Sequence, residues 1–330
     1  MSDFRHIAVV GGGAWGTALA CLARRAGRAV TLWSRDPAIA RSIAEERANS
    51  VYLPGIALEP GIAAAGDLGA LAGCDAVLLA CPAQAVRELS ARLTGAGPIV
   101  ICAKGVEAAS GLFLPEVVEQ VLPGRPLALL SGPSFAEEAV RGLPTAVSIA
   151  TRDPALGRDL AATLAAGAFR PYWSGDVPGV ALGGAVKNVL AIAAGIVEGR
   201  GLGFNATAAL ITRGFAEMAR LGQAMGAELE TLTGLSGLGD LVLTCHGPLS
   251  RNRSLGMALG KGGTTYAQYM RGRRQVVEGE ATAPAVLARA GRLGIEMPIC
   301  AAVDAILHRG ADLDDVIRGL LARPLRREGR

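Results

Sequence analysis

Lysine is nearly absent from this chain of 330 residues: Lys104, Lys187 and Lys261 stand against thirty arginines. Arginine supplies permanent charge but does not surrender a proton under working conditions, whereas lysine can be desolvated into the titrating range and exchange one. Two of the three lie in small-residue runs, CAKGVE and GGAVKNVLAIAAG. A chemical need for an amine is one reading of them, and escape from a compositional bias is the other. Histidine is as scarce, and His6, His246 and His308 are too far apart in sequence to suggest a metal site. Aromatic residues make up 4% of the chain, and no basic run interleaves with them, which excludes the pattern that tracks nucleic acid. A formal net charge of +4 instead suits small anionic ligands. The six cysteines form no CxxC pair and sit mostly in apolar segments, as small buried side chains of a reducing cytoplasm would. No signal peptide is expected, because the apolar run at the N-terminus is short and passes quickly into glycine. The most apolar long stretch, 177–197, carries Lys187 in its middle, which favours a buried helix over membrane insertion.

A prior of about one domain per 150 residues suggests two. Up to residue 177, short β-type runs alternate with helical patterns, as a parallel sheet covered on both faces requires. Strands read at 6–10, 29–33, 76–80, 99–102, 127–130, 146–149 and 169–172. Helices read at 14–26 and 155–166, and Asp36-Pro37 and Asp153-Pro154 each combine a helix cap with proline at the first helical position. Beyond residue 177 the strand patterns stop, and Ala, Leu, Gly and Met at helical spacing continue to the end. The expected fold is therefore α/β: a doubly wound, mostly parallel Rossmann-type sheet over 1–177, then an all-α domain over 178–330. Glycine costs about 1 kcal/mol relative to alanine inside a helix, so its frequency in the second half implies close helix packing or backbone approach to a ligand.

The first strand runs directly into Gly11-Gly12-Gly13-Ala14-Trp15-Gly16, a GxGxxG sequence that opens a helix. Gly11 permits the tight turn, Gly13 lets the backbone approach a pyrophosphate, and Gly16 lets helix and strand pack, with the phosphate at the helix N-terminus. The end of the second strand decides the dinucleotide. A carboxylate there would hold a ribose hydroxyl, but Ser34 and Arg35 occupy the place and Asp36 serves the helix cap. Arg35 suits a 2′-phosphate, which predicts NADPH as the preferred cofactor and NADH as the second candidate.

Four further segments carry chemistry: Cys102-Ala103-Lys104-Gly105; Leu130-Ser131-Gly132-Pro133-Ser134-Phe135-Ala136; Ala185-Val186-Lys187-Asn188; and Gly237-Leu238-Gly239-Asp240 with Ser250-Arg251-Asn252. With these, the chain resembles the NAD(P)-dependent glycerol-3-phosphate dehydrogenases, in their bacterial branch, from the first glycine motif to Val276-Val277-Glu278-Gly279. The resemblance implies reversible reduction of dihydroxyacetone phosphate to sn-glycerol 3-phosphate, the backbone of phospholipids. Hydride delivery to a ketone needs an acid, and the reverse oxidation needs the same group as base. The resemblance gives that role to Lys187, whose apolar neighbours would lower its pKa; a helix lysine snorkelling to solvent is the alternative. Lys104 is implied near both nicotinamide and substrate, as a compact charge that polarises the carbonyl.

Ser250, Arg251 and Asn252 follow Gly247-Pro248 at an expected helix start, where hydroxyl, guanidinium and amide donors suit the substrate phosphate; a plain capping serine beside a surface arginine is the alternative. By resemblance Arg251 also meets the cofactor. Asp240, Thr244 and Asn188 would hold the lysine or the substrate hydroxyls, and Gly132 and Ser134 would line the substrate. Ala14, Trp15, Ala136, Val276 and Glu278 match cofactor contacts. Lys261 and the arginine-rich stretch 271–274 receive no role. A β-hydroxyacid dehydrogenase would share the plan but take a carboxylate, and a dinucleotide sensor would have no use for the lysine or the anion cluster. The glycine-rich helical half could pair with a second copy of the chain.

Overall fold

The computed structural model describes residues 4–273 and 275–324, so Arg274 of the arginine-rich stretch lies outside the described residues. Among the described residues eight strands form one sheet: β1 (His6–Val10), β2 (Ala29–Trp33), β3 (Ile62–Ala65), β4 (Ala76–Leu79), β5 (Ile99–Ile101), β6 (Leu127–Ser131), β7 (Thr145–Ala150) and β8 (Phe169–Ser174). Their order is β3-β2-β1-β4-β5-β6-β7-β8. The first six strands pair in parallel, β7 runs antiparallel to β6, and β8 follows β7 in parallel. Strand β3 corrects the seven-strand reading of the sequence. Its IAAA run is poor in β-branched and aromatic residues, and pairing with β2 supplies the order that propensity does not.

The sheet is covered on both faces. Along β1, Ile7 and Val9 face one apolar layer while Ala8 and Val10 face the other. The covering helices are α1 (Ala14–Arg25), α2 (Pro37–Arg41), α3 (Val86–Ala91), α4 (Leu114–Val121), α5 (Ala136–Val140) and α6 (Pro154–Leu164). Both expected proline starts are present: Asp36 Oδ1 accepts from Ala38 N–H at 3.0 Å, and Asp153 Oδ1 from Ala155 N–H at 2.8 Å.

Beyond β8 the described residues form helices: α7 (Val177–Gly199), α8 (Gly203–Ala224), α9 (Leu229–Thr233), α10 (Asp240–His246), α11 (Arg251–Lys261), α12 (Tyr266–Met270), α13 (Glu278–Arg292), α14 (Pro298–His308) and α15 (Leu313–Leu321). Helix α7 is long and apolar enough to cross a membrane, yet 94% of its most apolar window is buried inside the protein. A helix apolar all round is a core helix when other helices surround it.

Glycines let those helices come close. A Cβ at Gly195 or Gly199 of α7 would stand 2.1 Å from Arg253 O or 2.3 Å from Met257 O. Conversely, a Cβ at Gly256 or Gly260 of α11 would stand 2.0 Å from Ile192 O or 2.4 Å from Ile196 O. Two glycine pairs four residues apart thus face each other's backbone, and α11 lies directly on α7. At the other end of α7, a Cβ at Gly183 would stand 2.4 Å from Ser236 O, so the turn leading into α10 is equally close. These approaches fix the two elements that flank the middle of α7.

Candidate active site

The turn after β1 is shaped for close approach. Gly11 has φ +129°, and a Cβ there would stand 2.6 Å from Ala80 O at the end of β4. A Cβ at Gly16 would meet Gly11 O, whereas one at Gly13 would meet nothing within 4 Å. The backbone at Gly13 therefore faces open space at the start of α1, whose first N–H groups favour an anion. Two buried side chains hold this loop. Asn49 Nδ2 donates to Gly12 O at 2.9 Å and to Thr17 Oγ1 at 2.8 Å, and Ser34 packs against Gly12. Arg35 is exposed at the end of β2, and Asp36 caps α2. Ala14 and Trp15 are half-buried, and Trp15 Nε1 is a buried donor without a partner among the described residues. This cradle fits a dinucleotide phosphate.

A second group gathers where β5 and β6 end against α7 and α10. Lys104 Nζ donates to Gly132 O at 2.9 Å and to Asp240 Oδ2 at 2.7 Å. Lys187 Nζ, from the middle of α7, donates to Asp240 Oδ1 at 2.5 Å and to Thr244 Oγ1 at 3.0 Å. The Thr244 hydroxyl donates to Asp240 O at 2.6 Å, one helical turn back. Ser134 Oγ donates to Gly132 O at 2.9 Å; Gly132 has φ +137° and a Cβ there would stand 2.9 Å from Val147 Cα. One carboxylate therefore bridges two ammonium groups, with Asp240 and Lys187 only 1% and 7% exposed. Each ammonium has three N–H donors. Two on each lysine are engaged here, which leaves one on each for a reacting oxygen.

Burial dominates the electrostatics of Lys187. It pulls the ammonium pKa from 10.5 down to about 7, with attraction to Asp240 opposing the fall and repulsion from Lys104 adding to it. Burial alone would raise the Asp240 carboxyl, but the charges of Lys104 and Lys187 outweigh it and hold the group below its ordinary range. The pair is thus an ionised carboxylate beside an amine that can change protonation near neutral pH.

The remaining residues form a seam between α7, α11 and α13. Asn252 Nδ2 donates to Asn188 Oδ1 at 3.0 Å, Asn188 Nδ2 donates to Gly184 O at 3.3 Å, and Gly279 N–H donates to Asn252 Oδ1 at 3.0 Å. Glu278, the first residue of α13, reaches across to the loop after β4, where its Oε1 accepts from Ala83 N–H at 3.2 Å. Its Oε2 is buried without a partner among the described residues and faces Gly105, beside Lys104. Burial raises the Glu278 carboxyl, against the pull of the Ala83 N–H and of Arg251. Arg251 is exposed at the start of α11, within electrostatic reach of Glu278 and Tyr52. Ser250 is buried and caps α11, its Oγ accepting from Arg253 N–H at 3.2 Å, so capping and a free hydroxyl proton coexist.

Contacts therefore run continuously from the glycine loop through Ala80, Ala83, Glu278 and Gly105 to the lysines, along the carboxyl ends of the strands. Ala136 is half-buried as the first residue of α5, and Val276 is exposed. Lys261 ends α11 as an exposed residue remote from both other lysines in sequence. Sequence reasoning missed Asn49, Tyr52 and the Ala83 N–H. Asn49 and Tyr52 lie in an irregular stretch with no motif, and a backbone donor leaves no mark in the sequence. All six cysteines are free and buried, and among the described residues no cluster of His, Cys, Asp or Glu could hold a metal.

A nucleotide cradle on a doubly wound sheet, joined to a helical half that supplies a desolvated lysine, defines a dinucleotide-dependent oxidoreductase. Family models resolve the class. The model for the NAD-dependent glycerol-3-phosphate dehydrogenase N-terminus matches residues 6–157, and that for the C-terminus matches residues 176–318. The chain belongs to this family. It is 57% identical to a glycerol-3-phosphate dehydrogenase [NAD(P)+] of Rhodospirillum rubrum, over 98% of this chain and 94% of that one. A protein of the same name from Caulobacter vibrioides is 55% identical over 98% of this chain and 99% of its own. Among solved structures, glycerol-3-phosphate dehydrogenase from Coxiella burnetii superposes with a TM-score of 0.91 at 40% identity, covering 97% of this chain and 99% of its own.

Proposed function

We propose that this chain catalyses the reversible reduction of dihydroxyacetone phosphate to sn-glycerol 3-phosphate, with NADPH preferred and NADH accepted, and so supplies glycerophospholipid synthesis. The observation that carries the reading is Asp240 bridging Lys104 and Lys187, with Lys187 desolvated to titrate near neutrality. The reduced dinucleotide, when bound, supplies the hydride. Lys187 then gives its free N–H proton to the oxygen that becomes the C2 hydroxyl, and takes it back in the oxidation. Lys104 aims its remaining N–H at the same oxygen and polarises the carbonyl. Asp240 and Thr244 hold Lys187 in place, and the carboxylate offsets one of the two positive charges in a site where unpaired charge is costly.

Arg251, with the Ser250 hydroxyl and the Asn252 amide, takes the substrate phosphate at the start of α11. Gly132, Ser134 and Asn188 line the substrate. Gly11, Gly13 and Gly16 with Ala14 and Trp15 hold the pyrophosphate end, Arg35 takes the 2′-phosphate, and Ala136, Arg251, Val276 and Glu278 complete the dinucleotide site. The chain divides into a dinucleotide-binding domain, 1–177, and a substrate domain, 178–330. It works in the cytoplasm, a location supported by its six unpaired, buried cysteines. A second copy is its protein partner; Phe204, 94% exposed at the start of α8, offers an apolar contact, and light scattering of the purified protein tests the dimer.

Following NADPH absorbance with dihydroxyacetone phosphate tests the activity. Oxidation is expected with the triose phosphate; oxidation only with β-keto carboxylates supports the hydroxyacid dehydrogenase, and none with any ketone supports a sensor. Lys187→Ala is expected to bind NADPH normally and to lose turnover by about 10² or more, the scale of a general acid. Retained turnover would move proton transfer to another group.

A further inference from the structure

Helix α13 begins without a cap of its own. Val277 stands at the capping position and has no side-chain acceptor for the first N–H groups of the helix, which need one. The acceptor comes from another helix: Asn252, the second residue of α11, takes the Gly279 N–H on Oδ1 at 3.0 Å. Its Nδ2 is committed to Asn188 at 3.0 Å, and Asn188 is held in turn by Gly184 O, so the direction of the amide is set by the network. The junction is tight. A Cβ at Gly279 would stand 2.6 Å from Asn188 O and 2.7 Å from Asn252 Oδ1, which explains glycine after Glu278.

The residue that this cap places is Glu278, immediately before Gly279. Glu278 crosses to Ala83 N–H and presents a buried Oε2, unpartnered among the described residues, toward Gly105, the residue after Lys104. Asn252 itself follows Arg251, which lies within electrostatic reach of the same carboxylate. We propose that Asn252 is a positioning residue for the dinucleotide half of the site. By capping α13 from α11 it sets where Glu278 stands, and it thereby links the phosphate-binding segment 250–252 to cofactor affinity. The inference rests on reading Glu278 as a dinucleotide contact.

The test is the affinity for NADPH alone, read from tryptophan fluorescence or calorimetry without substrate, in four variants. Glu278→Ala is expected to weaken NADPH. Asn252→Ala, which removes the acceptor, is expected to weaken it roughly tenfold, the scale of one lost buried hydrogen bond. Asn252→Asp keeps an acceptor for Gly279 N–H at a helix N-terminus, where negative charge is favourable, and the Asn188 amide turns to donate Nδ2 to the second carboxylate oxygen in place of its 3.3 Å bond to Gly184 O. It is expected to bind NADPH within about threefold of the wild-type protein, while the KM for the triose phosphate stays raised. In the double variant, Asn252→Ala is expected to add nothing to Glu278→Ala, because both changes remove one contact. Additive losses, a failure of Asn252→Asp to recover affinity, or normal NADPH binding by Asn252→Ala beside a weakened Glu278→Ala would each overturn the positioning role. Normal binding by Glu278→Ala would instead remove the reading of Glu278, and this inference with it.

Discussion

Replacing Gly256 with alanine sets two opposed effects against each other. Alanine is worth about 1 kcal/mol over glycine in a helix interior, so propensity alone predicts a stabler protein. Packing predicts the reverse. The new Cβ would stand 2.0 Å from Ile192 O and 2.9 Å from Ile196 N, where real Cβ contacts do not fall below 3.0 Å. The obstacle is backbone of a buried helix, so α11 must move away from α7 by about 1 Å, because packed cores do not absorb such overlap locally. Overpacking of this kind costs about 1–3 kcal/mol, and a backbone obstacle argues for the upper end. The net expectation is a loss of about 2 kcal/mol, which at about 2–4 °C per kcal/mol lowers Tm by about 4–8 °C.

Activity falls further, because Asn252 and Arg251 lie about one helical turn from Gly256. A displacement of about 1 Å at positioned groups costs on the order of 10²-fold in rate, and kcat/KM for the triose phosphate is expected to fall on that scale. Gly291→Ala is the control. A Cβ there meets nothing within 4 Å, so this substitution should hold or raise Tm and leave activity unchanged. Thermal unfolding by circular dichroism with steady-state kinetics on both variants decides the matter. If Gly256→Ala matched Gly291→Ala in Tm, the close packing of α7 on α11 would not be what holds the helical half together.

Four further outcomes follow from the electrostatics. Ketone reduction needs protonated Lys187, so its kcat/KM should fall as pH rises through about 7, while the reverse oxidation, which needs the free amine, should rise over the same interval. Asp240→Asn removes the charge that holds that proton and should move both limbs to lower pH; movement to higher pH would show that another group titrates. Arg35→Ala should weaken NADPH more than NADH, and equal losses in Kd would remove Arg35 from the 2′-phosphate. Glu217 of α8, buried, accepts from Ile299 N–H at 2.7 Å and Cys300 N–H at 3.3 Å at the start of α14, and burial pushes its carboxyl up to about 7. The folded protein then holds this proton more tightly than the unfolded chain, so stability falls as pH rises from 4.5 through about 7; Glu217→Gln should flatten that part of the Tm curve, and an unchanged slope would assign it elsewhere.

Much of the fold was legible because its signals are local. GxGxxG between a strand and a helix, and aspartate before proline at two helix starts, each encode a backbone geometry within a few residues. Strand β3 was not legible, since three alanines carry no strand signal and only β2 defines them. The inverted β7 could not be read either, because pairing direction is set by the path of the intervening chain. Helical glycines announced close packing without naming the partner, which needs two helices seen together. The amide chain from Gly184 through Asn188 and Asn252 to Gly279 is invisible in the sequence for the same reason: there Asn252 reads alone as a donor to the phosphate and Asn188 as a partner of the lysine or the substrate hydroxyls, and the structure also joins them to each other.

The scarcity of lysine is explained by what Asp240 has to do. Its two oxygens face two different cations, at 2.5 and 2.7 Å, from helix α7 and from the loop after β5. An arginine engages a carboxylate best as a planar fork that occupies both oxygens, which would exclude the second partner, and it would not titrate. Two compact ammonium groups can share the carboxylate, and burial can then bring one of them to neutrality while its neighbour keeps the charge. Lys261 shows the limit of the count, since it is as rare a residue as the others and stands exposed at a helix end. Rarity pointed to the chemistry, and the shared carboxylate is what distinguishes the two lysines that have it from the one that does not.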